Sequence, residues 1–193
     1  QGDGKMSKSK GEFLTVSVLE KKGYDPLVYR LFCLQSHYRN VLVFSYENLD
    51  NAKAAYDKLI ARISALDFDS EAEIDEAAMT ELKGKFTKAM DNDLATALAV
   101  TTIYDVLKYK TNDRTKLAAI KSFDYVLGLD LIEKADEKRK ADAKAAEEAR
   151  KKAESGSDYV IQGEGDAENI DSLTLSAPYN HPYLHNIKPM ASV

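Results

Sequence analysis

Apolar residues recur at three- and four-residue steps through the middle of the chain, and this spacing predicts amphipathic helices. Ser45 can cap the clearest of them, with Glu47 in its first turn. Charged side chains fall largely on the other faces of this segment. Its apolar stripe covers about five turns and consists of Leu49, Ala52, Tyr56, Leu59, Ile60, Ile63 and Leu66. The segment is therefore predicted to be a helix with one buried side.

Two shorter helices are predicted before this stripe. Thr15 can cap the first, and Gly23 ends it. The second begins at Asp25-Pro26, where a capping carboxylate precedes a proline at the first helical position. We expect this second helix to be buried on more than one side, because it is apolar over most of its girth. Its apolar residues are Leu27, Val28, Leu31, Phe32 and Leu34.

Three further helices are predicted after the stripe. Ser70 and Glu73 have the spacing of a capping box for the first of them. Asp91-Asn92-Asp93 is typical of a turn before the second of these helices. Asp113 can cap the third helix, and Gly128 is placed to end it. The predicted apolar stripes are Ile74, Ala78, Leu82 and Phe86, then Ala97, Val100, Tyr104 and Leu107, then Leu117, Ile120, Phe123 and Leu127.

These elements predict a mainly α fold in which four or five antiparallel helices with short links form a bundle. Residues 133–154 are almost entirely alanine and charged residues, which favours a solvated helical arm over a dedicated RNA-binding arm. Residues 155–193 contain Ser-Gly-Ser, several acids and three prolines. This composition is typical of a flexible tail or of a segment that folds on a partner.

The composition narrows the class of protein. The chain has 193 residues, of which 44% are hydrophobic and 31% charged, and no apolar run approaches a membrane-spanning length. We therefore expect a soluble cytoplasmic protein without a membrane partner. Cys33 is the single cysteine, and its apolar neighbours favour a packed thiol. No metal site is expected, because Pro182 interrupts the i,i+4 pair of His181 and His185 and no other ligands converge there.

The net charge of −5 is distributed unevenly along the chain. Residues 1–66 carry ten Lys and Arg against seven Asp and Glu, whereas residues 67–132 carry eight against thirteen. A surface that faces phosphate groups is therefore expected early in the chain. Lys5-Met6-Ser7-Lys8-Ser9 fits this expectation, because two ammonium groups beside hydroxyls in a short loop suit a polyphosphate better than a packed core. The alternative interpretation of this run is a basic, disordered chain end.

Four segments together carry a resemblance to a known family. Residues 4–13 resemble the signature loop of class I aminoacyl-tRNA synthetases. Three later segments match the cysteinyl branch of that class in order and spacing. They are Tyr24-Asp25-Pro26, Ser36-His37-Tyr38-Arg39 and residues 44–49. Residues 90–99 resemble the acidic turn and helix start of the helical anticodon-binding domain in the same branch. The resemblance to cysteinyl-tRNA synthetases thus covers residues 4–130.

The resemblance implies a domain organisation. Residues 1–13 would hold the KMSKS loop at the end of the catalytic domain, and residues 14–66 a stem-contact-like helical region. Residues 67–132 would form a helical bundle that completes the anticodon-binding domain, followed by a charged helix and a low-order tail in residues 133–193.

The resemblance also implies a reaction and its substrates. The family uses ATP, with magnesium expected, to activate cysteine as an adenylate, and then transfers the cysteinyl group to tRNA(Cys). Lys5 and Lys8 are assigned to the stabilisation of transition-state charge. ATP binding is assigned to the same two lysines together with Ser7 and Ser9.

Tyr38 and Arg39 are the candidates for tRNA contact, since tyrosine can stack on a base or sugar and arginine pairs with phosphate. The favoured alternative is that His37, Tyr38 and Arg39 only cap and pack a helix junction. The helical domain after Asp91 is assigned to anticodon recognition by resemblance alone.

The sequence also departs from the family. A His-Ile-Gly-His-like motif and a cysteine-rich zinc site belong to the family's amino-terminal catalytic fold, and this sequence has neither. The resemblance therefore implies the carboxy-terminal portion of a larger, monomeric synthetase, inactive alone, with zinc only in the remaining portion. One alternative is a non-catalytic helical RNA-binding or scaffolding module. Another is a ligase that joins cysteine to an amino sugar, which would have less reason to carry the helices of residues 70–128.

Overall fold

The computed structural model describes residues 15–155, and within this range the chain forms helices and no strand. The prediction of a mainly α fold is confirmed. None of these helices combines the length and the apolar character needed to cross a bilayer. The helices are α1 (Val16–Lys21), α2 (Pro26–Leu34), α3 (Tyr46–Ser64), α4 (Glu76–Asp91), α5 (Thr96–Lys108), α6 (Asp113–Leu127) and α7 (Leu131–Ser155).

A single hydrophobic cluster holds the helices together. Helix α2 packs on α1, α3 and α5, while α4, α5 and α6 pack on one another. Every helix contributes to the cluster, from Leu19 in α1 to Leu131 and Ala135 in α7. The described part of segment 14–66 and segment 67–132 therefore share one core. Six of the seven predicted stripe positions of α3 are buried, and Leu66 packs against the core from a partly buried position.

Three of the predicted helix boundaries are confirmed in detail. The Asp25 carboxylate accepts the N–H of Leu27 at 2.8 Å, directly before the proline that opens α2. Ser45 Oγ accepts the N–H of Asn48 at 3.0 Å. Gly128 ends α6 in the left-handed conformation, with φ 63°. Thr15 occupies the N-cap position of α1, but its side chain makes no capping hydrogen bond, so its predicted role is wrong in that respect.

The predicted capping box of Ser70 and Glu73 is wrong, because α4 begins only after Asp75. The Asp75 carboxylate accepts the N–H three residues later at 3.0 Å. The residues before it are held outside the helix by the first turn of α6 and by its cap residue. Thr115 Oγ1 accepts the Asp75 N–H at 2.9 Å, and Asn112 Nδ2 donates to the Glu73 carbonyl at 2.9 Å. These contacts give distant partners to two backbone groups that have none within α4.

The cap of α6 lies one residue before its predicted position. Asn112 Oδ1 accepts the N–H of Thr115 at 2.9 Å. Asp113 is the first helical residue, and its Oδ2 accepts the N–H of Asp67 at 3.0 Å instead. This N–H, with a smaller effect of Lys116, holds the pKa of Asp113 below its usual value. The Asp113 carboxylate therefore anchors the segment after α3 rather than its own helix.

The buried face of α5 is centred differently from the predicted stripe. Of the four predicted positions only Val100 is buried, and the other three lie at the partly buried margin. Helix α5 packs on α2, α3, α4 and α6, so its buried face is wider than one predicted stripe. The fully or nearly fully buried apolar residues of α5 are Ala99, Val100, Ile103 and Val106.

Helix α7 starts inside the core before it becomes an exposed arm. Leu131 and Ala135 have no exposed surface. Arg139 donates to Asp69 Oδ2 at 2.9 Å, and its guanidinium lies over the Phe68 ring at 5.1 Å. The prediction of a solvated arm beginning at Glu133 is therefore wrong for its first turns. It is confirmed for residues 140–153, all of which are exposed.

A buried carboxylate fixes the link between α6 and α7. Asp124 is 8% exposed, and its two oxygens accept the N–H groups of Leu129 and Leu131, both at 2.7 Å. No pattern in the sequence had indicated a role for this residue. The contacts satisfy two backbone donors in a link where the chain turns sharply between helices.

Two long-range hydrogen bonds tie the same link to the first half of the chain. Arg30 Nε donates to the Leu127 carbonyl at 2.5 Å, and Tyr56 Oη donates to the Leu129 carbonyl at 2.7 Å. The Arg30 guanidinium also lies beside Gly128, where an added Cβ would meet its nitrogens at 3.1–3.2 Å. A glycine is thus favoured at this position both by backbone conformation and by space.

Candidate functional site

The residues predicted to bind ATP lie outside the described part of the chain. Lys5, Ser7, Lys8 and Ser9 precede residue 15, so their assignment stays a prediction. His181 and the other residues of the tail after residue 155 also lie outside it. Within residues 15–155, no group of three or more His, Cys, Asp or Glu side chains is placed to hold a metal ion.

The predicted tRNA-contact residues meet the acidic turn between α4 and α5. We call His37, Tyr38, Arg39 and Asp93 the junction cluster. Tyr38 Oη donates to Asp93 Oδ1 at 2.8 Å and accepts from Arg39 Nε at 2.9 Å. Arg39 also donates from Nη2 to Asp93 Oδ1 at 3.2 Å, and its Nε lies 3.1 Å from Asp93 Oδ2. Two segments that carried the family resemblance separately are therefore in direct contact.

Ring contacts hold the same side chains in order. The His37 ring stacks on the Tyr38 ring with a centroid separation of 4.8 Å. His37 Nε2 donates to the Asp93 carbonyl at 2.9 Å, and His37 Nδ1 accepts the Arg39 N–H at 3.3 Å. These two contacts require the neutral ring to carry its proton on Nε2. The Arg39 guanidinium lies 5.4 Å from the Tyr38 centroid, within the range of a cation–π contact.

The turn that presents Asp93 has an unusual backbone. Asp93 and Leu94 have φ values of 52° and 53°. A left-handed conformation costs an L-residue other than glycine roughly 1–2 kcal/mol. The contact with His37 helps to hold this turn, and so does Thr96 Oγ1, which donates to the Leu34 carbonyl at the end of α2 at 2.8 Å. The conformation aims the Asp93 carboxylate at the residues that follow α2.

The junction cluster is accessible to solvent. The Arg39 side chain is 67% exposed and that of Asp93 46% exposed. Such a pair contributes little to stability, about 0–1 kcal/mol. Arg39 can therefore meet an anion without leaving a buried partner unpaired, although Asp93 neutralises part of its charge. The contacts fit a structural role at the junction, and they also hold the guanidinium in a defined direction.

An exposed apolar loop directly follows this cluster in the chain, and no function had been predicted for it. Val41 is 90% exposed and Val43 66% exposed. Phe44 anchors the loop through edge contacts with the rings of Phe32 and Tyr46, at 6.1 and 5.4 Å. The only signal in the sequence was the run of apolar residues, which does not distinguish a buried segment from an exposed one.

Comparison with known proteins gives a consistent group of relatives, although no protein-family model matches the chain. It is 44% identical over 136 residues to the cysteine–tRNA ligase of Novosphingobium aromaticivorans, covering 67% of this chain and 27% of the relative. It is 35% identical over 129 residues to cysteine–tRNA ligase 1 of Burkholderia lata, covering 67% and 26%. It is 37% identical over 133 residues to the cysteine–tRNA ligase of Methylococcus capsulatus, covering 65% and 28%. The chain thus spans less than a third of the length of these relatives.

Proposed function

We propose that this chain, which is homologous to cysteine–tRNA ligases over about two thirds of its length, is the tRNA-binding carboxy-terminal portion of such an enzyme. The observation that supports the proposal most directly is the junction cluster. It joins Ser36-His37-Tyr38-Arg39 to the acidic turn at Asp93, and both segments resemble the cysteinyl branch. The proposal includes anticodon recognition by the helices that follow this turn.

In the whole enzyme, ATP would be the substrate that activates cysteine, with magnesium on its phosphates. Lys5 and Lys8 would stabilise the negative charge that develops during the transfer, and Ser7 and Ser9 would donate hydrogen bonds to the phosphates. The sequence contains one cysteine and three histidines, with no His-Ile-Gly-His-like motif. A zinc site of the cysteine-rich kind would belong to another portion of the enzyme. The isolated chain is therefore expected to lack ligase activity.

Arg39 is the residue through which the junction cluster would contact RNA. Its guanidinium is exposed and oriented by Tyr38 and Asp93, so less side-chain freedom is lost when it meets a phosphate. Tyr38 is exposed as well, and it can stack on a base or ribose once the nucleic acid approaches. Asp93 would act as a positioning residue.

The test is fluorescence anisotropy of a labelled tRNA(Cys) transcript titrated with the 193-residue chain over a series of salt concentrations. Arg39→Ala should weaken binding and reduce the slope of log K against log salt by about 0.7–0.9, the value for one lost phosphate contact. Arg62→Ala removes the same charge from an exposed position of α3 and serves as the control. Equal salt slopes for the two variants would show that Arg39 does not contact the RNA.

Two further measurements test the wider proposal. The chain alone should show no cysteine-dependent ATP–pyrophosphate exchange, and exchange at the rate of a complete cysteine–tRNA ligase would contradict the expected inactivity. The chain should also prefer tRNA(Cys) to an unrelated tRNA. Equal affinity for both would favour the non-catalytic RNA-binding module instead.

A further inference from the structure

Helix α6 presents two cations and an aromatic ring on one exposed face. Arg114, Lys121 and Tyr125 follow one another at steps of seven and four residues, which places them on the same side of the helix. Tyr125 is 93% exposed. Along the helix axis, the cations are about 10 Å apart and Tyr125 lies about 6 Å beyond Lys121. We call these three residues the α6 face.

The cations of this face are available for a ligand. Neither Arg114 nor Lys121 forms an ion pair within the part of the chain that the structure describes, whereas Lys116 on the same helix pairs with Asp113 at 3.1 Å. A neighbouring carboxylate, that of Asp69, is engaged by Arg139 at 2.9 Å. The local positive charge of the α6 face is therefore not cancelled by a contact.

A shallow groove runs beside the two cations. Its volume is about 370 Å³, within the range of ligand sites. Most of the side chains that line it are apolar, and Ser70 also lines it. The residues that line it, besides Arg114 and Lys121, are Phe68, Ser70, Ile74, Leu117, Ala118 and Ile132. The groove thus combines an apolar lining with two cations.

We propose that the α6 face binds an unpaired segment of RNA, with phosphates at Arg114 and Lys121 and a base stacked on Tyr125. The inference rests on the proposed function, because a tRNA would supply that segment. Cations along a groove together with an exposed aromatic ring are the features of sites for single-stranded nucleic acid. Protein interfaces are enriched in arginine and tyrosine and depleted in lysine, so protein contact is the other outcome that the experiment must distinguish.

The experiment compares variants of the 193-residue chain in binding to a labelled tRNA(Cys) transcript and to a blunt RNA duplex. The double variant Arg114→Gln and Lys121→Gln should lower the salt slope for the tRNA by about 1.4, the value for two single-strand phosphate contacts. Tyr125→Ser should weaken tRNA binding at least about fivefold, since stacking on one base is lost. Tyr125→Phe keeps the ring and should bind like the wild type.

The matched control is the double variant Lys83→Gln and Lys88→Gln, which removes the same charge from exposed positions of α4. If the α6 double variant and this control have the same salt slope while the wild type binds tRNA(Cys), the α6 face does not bind RNA. The proposed function is then unaffected. If the wild type does not bind tRNA(Cys), both fail. If the α6 variants lose as much affinity for the duplex as for the tRNA, the claim that the face binds unpaired RNA is refuted. Unchanged RNA affinity together with altered self-association in sedimentation would assign the face to protein contact.

Discussion

Removal of the Asp124 carboxylate should be among the most damaging single changes to this fold. The two oxygens accept the N–H groups of Leu129 and Leu131 in a buried link. Asp124→Ala leaves both donors without a partner, and each unsatisfied buried group costs about 1–3 kcal/mol. The expected loss in the free energy of unfolding is therefore about 2–6 kcal/mol. That is a large share of the roughly 5–15 kcal/mol typical of a domain.

Urea unfolding followed by circular dichroism measures this loss. With a slope of about 2 kcal/mol per molar urea, the midpoint of Asp124→Ala should fall by about 1–3 M. Asp124→Asn should lie between the alanine variant and the wild type, because the amide keeps one acceptor oxygen but turns a donor towards the second N–H. The control is Asp130→Asn, a nearby exposed position with φ 50° that asparagine tolerates. If Asp124→Ala and this control shift the midpoint equally, the account of the link is wrong.

The difference in stability between the wild type and Asp124→Asn should depend on pH. Burial raises the pKa of Asp124 above its ordinary value of 3.8, although the N–H groups of Leu131 and Leu129 act in the opposite direction. The raised value means that folding favours the protonated form. The resulting stabilisation is complete below the unfolded-state pKa and is lost as the pH rises through the folded-state pKa. The stability of the wild type relative to Asp124→Asn should therefore fall as the pH rises through that window.

Four other variants, two of them controls, test the helix boundaries by the same urea assay. Gly128→Ala should lower the free energy of unfolding by about 1–2 kcal/mol through left-handed backbone strain, with a further loss from crowding against the adjacent arginine. Gly23 has φ 86°, but a Cβ added there would meet no atom within 4 Å. If Gly23→Ala lowers the free energy of unfolding more than Gly128→Ala does, crowding at Gly128 is refuted. Asp75→Ala should cost about 1–2 kcal/mol through loss of the α4 cap. Ser70→Ala should have almost no effect, and a loss as large as that of Asp75→Ala would restore the capping box predicted from the sequence.

Local signals in the sequence predicted the helices whose ends are set by nearby residues. Asp25 and Ser45 satisfy N–H groups two and three residues away, so their capping roles can be inferred from spacing alone. The start of α4 could not be inferred in this way. It depends on Thr115, whose hydroxyl accepts an N–H from a residue 40 positions earlier. A capping box depends only on side chains a few residues apart. Here the backbone before α4 is held by a partner that is distant in the sequence.

The candidate site shows the same limit. The sequence singled out Tyr38 and Arg39 by family resemblance, and it singled out the acidic turn separately, but it gave no reason to place them together. Their contact depends on the left-handed backbone of Asp93, which orients its carboxylate. The α6 face was missed for a different reason. Lys121 and Tyr125 have the spacing of an ordinary solvated helix face, and only the absence of acidic partners in the described fold distinguishes them.

The long-range bonds at the end of α6 also have a consequence for the order of events at the ribosome. The Leu127 carbonyl that receives the Arg30 side chain is 97 residues away along the chain. At about 5–20 residues per second, translation supplies that partner roughly 5–20 s after Arg30 is made. Throughout this interval Arg30 lacks the carbonyl that pairs with it, so the hydrogen bond between α2 and the end of α6 can form only after the second half of the chain has emerged.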